Sequence, residues 1–371
     1  MADYWLVVAG EVSGDRLGAE LVQVLLQQGF SAYGAGGSRM EAAGLQTLVP
    51  FADLGVSGIK DVVSRLFILR RHLQALRIAL RDPSCRGLLC IDYPGFNLRL
   101  MREAERLQKP VYWVAPPQIW AWKPKRGKLF RRRNVAVFFP FEQVAYERHG
   151  AFVARVSHPL LQEIPVVTTK AFASNCWALL PGSRMQQALR NAHSLMQIGE
   201  YLCSQEPGST CCFVVPDQRS EQELRAHGVR IPIHLASEGE VFWQSVRGAI
   251  CPPGTASLEL ALRDIPCVVF SRVDWVSYLL GRIFLRVPHL ALPNLLWAAR
   301  VIPEHVGPAL PFWPRQAKRL CIASELLMQV SIYEKTRSES LRTMLAGSAL
   351  PSEFAQYIQH TSISKPSERM L

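Results

Sequence analysis

Short apolar runs alternate along the chain with stretches whose apolar positions recur every three or four residues, and the alternation comes in two series. Residues 4–9 (YWLVVA) form the first run. It ends in a glycine-containing turn, after which Ala19, Leu21, Val22, Leu25 and Leu26 recur at helical spacing, so the pattern predicts strand, loop, helix. Runs at 88–91 (LLCI), 111–115 (VYWVA) and 135–139 (VAVFF) repeat it. A second series opens at 176–180 (CWALL) and continues at 211–215, 232–235, 248–251 and 267–270, with helical stretches between. Strands that alternate with helices predict parallel sheets covered on both faces, so the expected class is α/β with two doubly wound sheets. Pro159, Pro165 and the TTKAFASN stretch break the pattern between His158 and Asn175. The expected domains are therefore 1–165 and 166–371, the latter including a C-terminal helical segment.

Composition supports two globular units. The 371 residues suffice for two cores, and 49% hydrophobic against 19% charged residues excludes a disordered chain. The net charge of +12 is unevenly spread: the first 160 residues carry 22 Lys or Arg against 13 Asp or Glu. Such a field attracts polyanions, whether nucleic acid, an anionic membrane or phosphorylated substrates. Nine scattered cysteines without a CxxC pair point to a reducing cytoplasm. No apolar run approaches the roughly 18 residues needed to span a bilayer, and Asp3, Glu11 and Asp15 stand where a signal peptide would be basic and then apolar. The expectation is a protein neither secreted nor transmembrane.

Four loops have residues suited to chemistry. GEVSGDRLG (10–18) follows the first strand; its glycines allow close backbone approach, and Ser13 or Asp15 can cap the next helix, whose amides favour an anion. The same segment also reads as a plain tight turn. Asp92, in IDYPGFN, sits at the carboxyl end of a parallel strand, where open α/β sheets bind ligands, and is either a general base or a turn residue before Pro94. LLPGSR (179–184) offers the Ser183 amide and the Arg184 guanidinium to a diphosphate. PPGTASLELAL (252–262) puts Gly254 and Thr255 at a helix start with Glu259 a turn inside, placed either for ribose hydroxyls or in solvent. With no DxD, HExxH or clustered Cys/His set, no metal or cofactor is expected. His158, beside the domain boundary, is the histidine placed to line a cleft between the sheets.

Residues 61–81 draw one apolar stripe through positions 62, 66, 69, 73, 76 and 80, broadened by Val63, Phe67 and Ile68 and flanked by five arginines. This suits a helix resting on an anionic bilayer as well as one facing a core. Further on, Trp113, Trp120 and Trp122 precede seven Lys or Arg in positions 123–133, a mixture fit for nucleic acid or a membrane interface.

Taken in order, GEVSGDRLGAEL, GAGGSRMEAAG (34–44), LGVSGIKDV (54–62), IDYPGFN, APPQIWAWKPKR, FPFE (139–142), LLPGSR, GTASLEL and LPNLL (292–296) resemble the lipid-A-disaccharide synthase family along nearly the whole chain. The resemblance implies a GT-B glycosyltransferase: two facing Rossmann-like domains with an interdomain cleft, the first binding acceptor and membrane, the second the UDP-sugar donor. It implies inverting transfer of 2,3-diacylglucosamine from UDP-2,3-diacylglucosamine to 2,3-diacylglucosamine 1-phosphate, with a β-1,6 link formed and UDP released. By the same resemblance Asp92 is the catalytic aspartate. Glu11, Ser13, Gly14 and Asp15 lie on the acceptor side, and Gly182, Ser183, Arg184, Gly254, Thr255, Glu259 and Asn294 on the donor side. Gln118 and His158 are cleft residues. The acylated, phosphorylated substrates give the basic first domain a purpose, with Val62, Leu66, Phe67 and Leu69 as membrane contacts on the inner face of the inner membrane. No nucleic-acid partner is implied, and a homodimer is left open. Gly95, Ser157, Gln187 and Pro253 depart from the common family pattern at four positions. The rival readings are another GT-B transferase, a UDP-sugar epimerase, or a basic non-enzymatic nucleic-acid-binding protein.

Overall fold

The structure is a computed structural model that describes residues 3–51, 62–166, 175–310, 314, 316–331 and 337–363. The LGVSGIKDV segment lies almost wholly outside them, and at residues 62–66 the backbone alone is described.

The chain divides into two compact units, one formed by Met1–His158 with Ala346–Leu371 and the other by Pro159–Leu345. Along the first unit run β1 (Tyr4–Ala9), α1 (Val12–Gln27), β2 (Ser31–Ala35), α2 (Ser38–Ala42), β3 (Gln46–Thr47), α3 (Val62–Arg81), β4 (Cys85–Ile91) and α4 (Pro94–Arg106). They are followed by β5 (Val111–Val114), β6 (Asn134–Val137), α5 (Pro140–Glu147) and β7 (Phe152–Arg155). The second unit contains α6 (Leu160–Glu163), β8 (Cys176–Leu179), α7 (Met185–Gln205), β9 (Thr210–Val215), α8 (Gln218–Ala226), β10 (Ile233–Leu235), α9 (Glu240–Gln244) and β11 (Val246–Cys251). It continues through α10 (Thr255–Leu262), β12 (Cys267–Val273), α11 (Trp275–Phe284), α12 (Leu292–Trp297), β13 (Glu304–Pro308), α13 (Gln316–Ser331) and α14 (Arg337–Leu345). The last helix, α15 (Leu350–Ile363), returns to the first unit.

Both sheets are parallel, and their strand orders are homologous: β3-β2-β1-β4-β5-β6-β7 in the first and β10-β9-β8-β11-β12-β13 in the second. Each runs outward in two directions from a central pair, β1/β4 and β8/β11. That reversal is the topological switch point, where the loops leaving two adjacent strands part company and open a crevice. The central strands are mainly apolar because both faces are covered: β1 is buried at all six positions, and Leu88–Ile91 of β4 are inaccessible.

Two expectations change here. The sequence-based division gave residues 166–371 to the second domain, whereas α15 packs on the first sheet. Phe354 lies edge-on to Trp5 at 5.7 Å and near Tyr112 at 5.1 Å, and the Tyr357 hydroxyl donates to the Val111 carbonyl at 3.2 Å. The apolar face of α15 thus covers aromatic residues that β1 and β5 would otherwise leave open to water. The stripe on α3 is also divided. Leu73, Leu76 and Leu80 are buried in the core and Leu69 packs partly against it, but Phe67 is 76% exposed. The carboxyl half of α3 is therefore a core helix, while Phe67, Ile68 and Ile78 face solvent.

Candidate active site

In the first unit the switch-point loops leave β1 and β4, and they carry the predicted residues. Asp92 follows β4 directly. It and Tyr93 both hold left-handed backbone conformations, with φ of 46° and 50°, an arrangement non-glycine residues adopt only where the surroundings enforce it. The enforcement is visible. The Asp92 amide donates to the Val114 carbonyl at 2.9 Å, and the Asn97 side-chain amide donates to the carbonyls of Asp92 at 2.9 Å and Val8 at 3.2 Å. Asn97 is fully buried and ties the carboxyl ends of β1 and β4 together. The Tyr93 ring covers Gly10 so closely that a Cβ there would lie 2.4 Å from it, so only glycine fits.

Burial pushes the Asp92 carboxyl up to about 6, and the negative charge of Glu11 adds to it, against a hydrogen bond from the Tyr93 amide. A carboxylate with that affinity is a better proton acceptor near neutrality than an ordinary aspartate. Glu11 itself is exposed at the N-cap of α1 and makes no side-chain capping bond. Ser13 is exposed in the first turn, and Gly14 packs against Ala9 and Ile91. Asp15 departs from expectation: its two carboxylate oxygens accept from the Arg39 amide at 3.2 Å and the Met40 amide at 3.1 Å. It caps α2 rather than its own helix, and its burial leaves its carboxylate engaged inside the fold.

Sequence reasoning passed over Glu142. This residue is buried at the start of α5, where its carboxylate accepts from the Trp120 indole at 3.2 Å and from the Phe138 and Phe139 amides, each at 3.2 Å. Burial holds it up at about 7 despite those three donors, and the charge of Asp92 contributes. Glu142 therefore joins the PPQIWAW loop to the end of β6, and the FPFE segment was its signal. His158 lies against Phe138 and Phe139, ring centroids 5.3 Å away in each case, and burial depresses it to about 4, so it is neutral near pH 7. Gln118 is exposed in the loop after β5. A cavity of about 710 Å³ in this unit, lined by Tyr112, Asn134, Phe152, Tyr357 and His360 among others, contains none of the predicted site residues.

The second unit repeats the arrangement. LPGSR leaves β8 and PPGT leaves β11, the two central strands. Gly182 has φ of 120°, Ser183 and Arg184 are exposed, and Arg184 is the N-cap of α7. Asn191 fixes this loop: its side chain donates to the Pro181 carbonyl at 2.8 Å and accepts from the Arg272 amide at 2.7 Å. Gly254, at φ 120° and ψ −149°, is the N-cap of α10, a backbone state that a side chain would strain. Thr255 is exposed at the first turn, where unpaired helix amides and the helix dipole favour an anion. Glu259 is half-buried, 3.9 Å from Arg263, and burial raises its carboxyl above the usual range. Asn294 does not offer its side chain to a ligand. It is fully buried, donating to the Ile302 carbonyl at 2.7 Å and Glu304 at 2.8 Å and accepting from the Val301 and Ile302 amides. Its role in the structure is to brace α12.

Among the described residues no group of three or more His, Cys, Asp or Glu side chains gathers in a metal-binding cluster. No helix among them is long and apolar enough to cross a membrane.

Comparison with known proteins decides the family. The family model described as lipid-A-disaccharide synthetase matches residues 5–347. This chain belongs to the lipid-A-disaccharide synthetase family. The lipid-A-disaccharide synthase of Anaeromyxobacter sp. (strain K) is 32% identical over 322 residues, covering 82% of this chain and 84% of that protein. That of Geobacter sulfurreducens is 33% identical over 318 residues, covering 81% and 82%. Two solved structures share the fold at low identity. A putative UDP-N-acetylglucosamine 2-epimerase from Listeria monocytogenes has a TM-score of 0.53 at 10% identity, covering 98% of each chain. The UDP co-structure of MnaA from S. aureus has a TM-score of 0.53 at 12% identity, covering 99% of each. Family membership makes the chain a hexosyltransferase of GT-B fold and disfavours the epimerase and nucleic-acid-binding readings.

Proposed function

We propose that the chain transfers 2,3-diacylglucosamine from UDP-2,3-diacylglucosamine to the 6-hydroxyl of 2,3-diacylglucosamine 1-phosphate, forming the β-1,6-linked disaccharide 1-phosphate and UDP. One observation supports this most: the loops that leave the central strands hold a carboxyl of raised proton affinity in the first unit and, in the second, a glycine-capped helix start suited to an anion. Asp92 takes the proton of the acceptor hydroxyl as that oxygen attacks the anomeric carbon, and a single displacement inverts it. The diphosphate leaves against the Arg184 guanidinium and the amides at the start of α10, with Glu259 within reach of the ribose. Glu11, Ser13 and Gly14 border the acceptor, Gln118 and His158 stand nearby, and Asp15 and Asn294 act by shaping the loops. On this reading the first unit binds acceptor and the second binds donor.

Diacylated substrates reside in a bilayer, so we assign the protein to the cytoplasmic face of the inner membrane. Phe67 is its contact, with the exposed Arg70 and Arg71 one turn along α3 facing anionic headgroups. The test is to incubate purified protein with both glycolipids and identify the products by mass spectrometry. A disaccharide 1-phosphate and UDP in equal amounts support the proposal; free sugar or unreacted substrates overturn it.

A further inference from the structure

The second unit has an apolar surface that the proposed reaction leaves unexplained. Helix α11 contains no buried residue. Trp275, Leu279 and Ile283 form one row along it and Val276, Leu280 and Phe284 the adjacent row, each of the six between 46% and 62% exposed. Leu285, just past the end of the helix, is exposed as well. The two rows are consecutive four-residue spacings, so they make one broad face, and Tyr278 on the other side is half-buried.

We propose that α11 is a second membrane-contact element, lying flat on the surface of an anionic phospholipid bilayer. Charge selects that occupant. From Trp275 to Pro303 the sequence has no Asp or Glu, while Arg282 and Arg286 are exposed beside the apolar rows. Arginines beside such a face reach back to headgroup phosphates while the apolar residues enter the acyl boundary, and a tryptophan at the helix start suits the interface. Ten residues give a helix about 15 Å long, half of a hydrocarbon core of about 30 Å, so α11 lies on the membrane rather than through it. Its place in the fold agrees. It follows the carboxyl end of β12, the neighbour of β11, and so starts on the same edge of the sheet as the Gly254 loop. On the proposed reaction, this lets a lipid donor present its sugar diphosphate to that edge while its acyl chains remain in the bilayer.

The test uses the full chain and flotation with phosphatidylglycerol/phosphatidylethanolamine vesicles, with phosphatidylcholine vesicles as the neutral control. Replacing Leu279, Ile283 and Phe284 together by Ser is expected to weaken association with the anionic vesicles by about tenfold or more. Melting temperature and UDP binding should stay at the parent's values, because these side chains support no core. Should the triple variant not fold, Ile283→Ser alone carries the test, with bromolipid quenching beside it: quenching in the parent should drop in Trp275→Phe. Vesicle binding within twofold of the parent, or quenching unchanged by Trp275→Phe, overturns the proposal. So does a variant that binds vesicles normally but shows a smaller assembly by light scattering, which would give the face to a second copy. Phe67→Ser, run in parallel, reports α3 separately, and neither readout depends on turnover.

Discussion

The charge of Glu11 bears on the carboxyl of Asp92: burial first, and this negative charge second, raise that group to about 6. Because the raised value leaves Asp92 protonated at lower pH, kcat/KM should fall as pH drops through about 6, with a slope approaching one. Glu11→Gln removes a repelling negative charge, which makes the ionised Asp92 less costly. The acid limb should then move to lower pH. A profile that Glu11→Gln leaves in place would show that the limb belongs to another group.

Asp92→Asn keeps the size of the side chain and removes the base. Turnover should fall roughly 100- to 10,000-fold while UDP binding persists, as measured by product formation and calorimetry. Near-normal turnover would reduce Asp92 to a turn residue.

Arg184 stands exposed beside the glycine loop of the second unit. Arg184→Ala should weaken UDP binding by roughly tenfold to a hundredfold, the value of a charge-assisted hydrogen bond, and Arg184→Lys should restore only part of it because an ammonium cannot bridge two oxygens. UDP titration of the folded variants checks this.

The two ends of α3 should respond oppositely to the same chemistry. Leu76→Ser puts a hydroxyl and a cavity into a fully buried position and should cost about 2 to 5 kcal/mol of stability. Phe67→Ser should leave the melting temperature within a degree or two, since the ring is largely in water, and should lower binding to anionic liposomes. Denaturant melts and flotation separate the cases. Destabilisation by Phe67→Ser would return that residue to the core.

What the sequence made legible follows from which residues are self-explanatory. The strands β1, β4, β8 and β11 are apolar on both faces, and such runs announce themselves. Strands passed over, such as β2 and β13, are different: β2 is SAYGA, with small residues, and β13 is EHVGP, whose polar groups are satisfied by distant partners. His305 meets Glu325 at 2.5 Å, and Glu304 meets Asn294 at 2.8 Å, pairings invisible before the chain is folded. The same reason governs the site. Asp92 and the glycine loops stand at strand ends, a local signal, whereas Asn97, Asn191 and Glu142 lie within or at the start of helices and look like ordinary polar positions. Asp15 and Asn294 show the converse, since a polar residue inside a motif resembles a ligand-facing group and its internal partners appear only in the folded chain.

The return of α15 to the first sheet has a consequence for synthesis. Trp5 is synthesised some 350 residues before Phe354 and Tyr357, which cover it. Throughout translation of the second unit the nascent first unit therefore lacks its cover over β1 and β5. Its aromatic face is during that interval a surface for chaperones or for aggregation. A chain truncated before Leu350 would keep that surface open permanently.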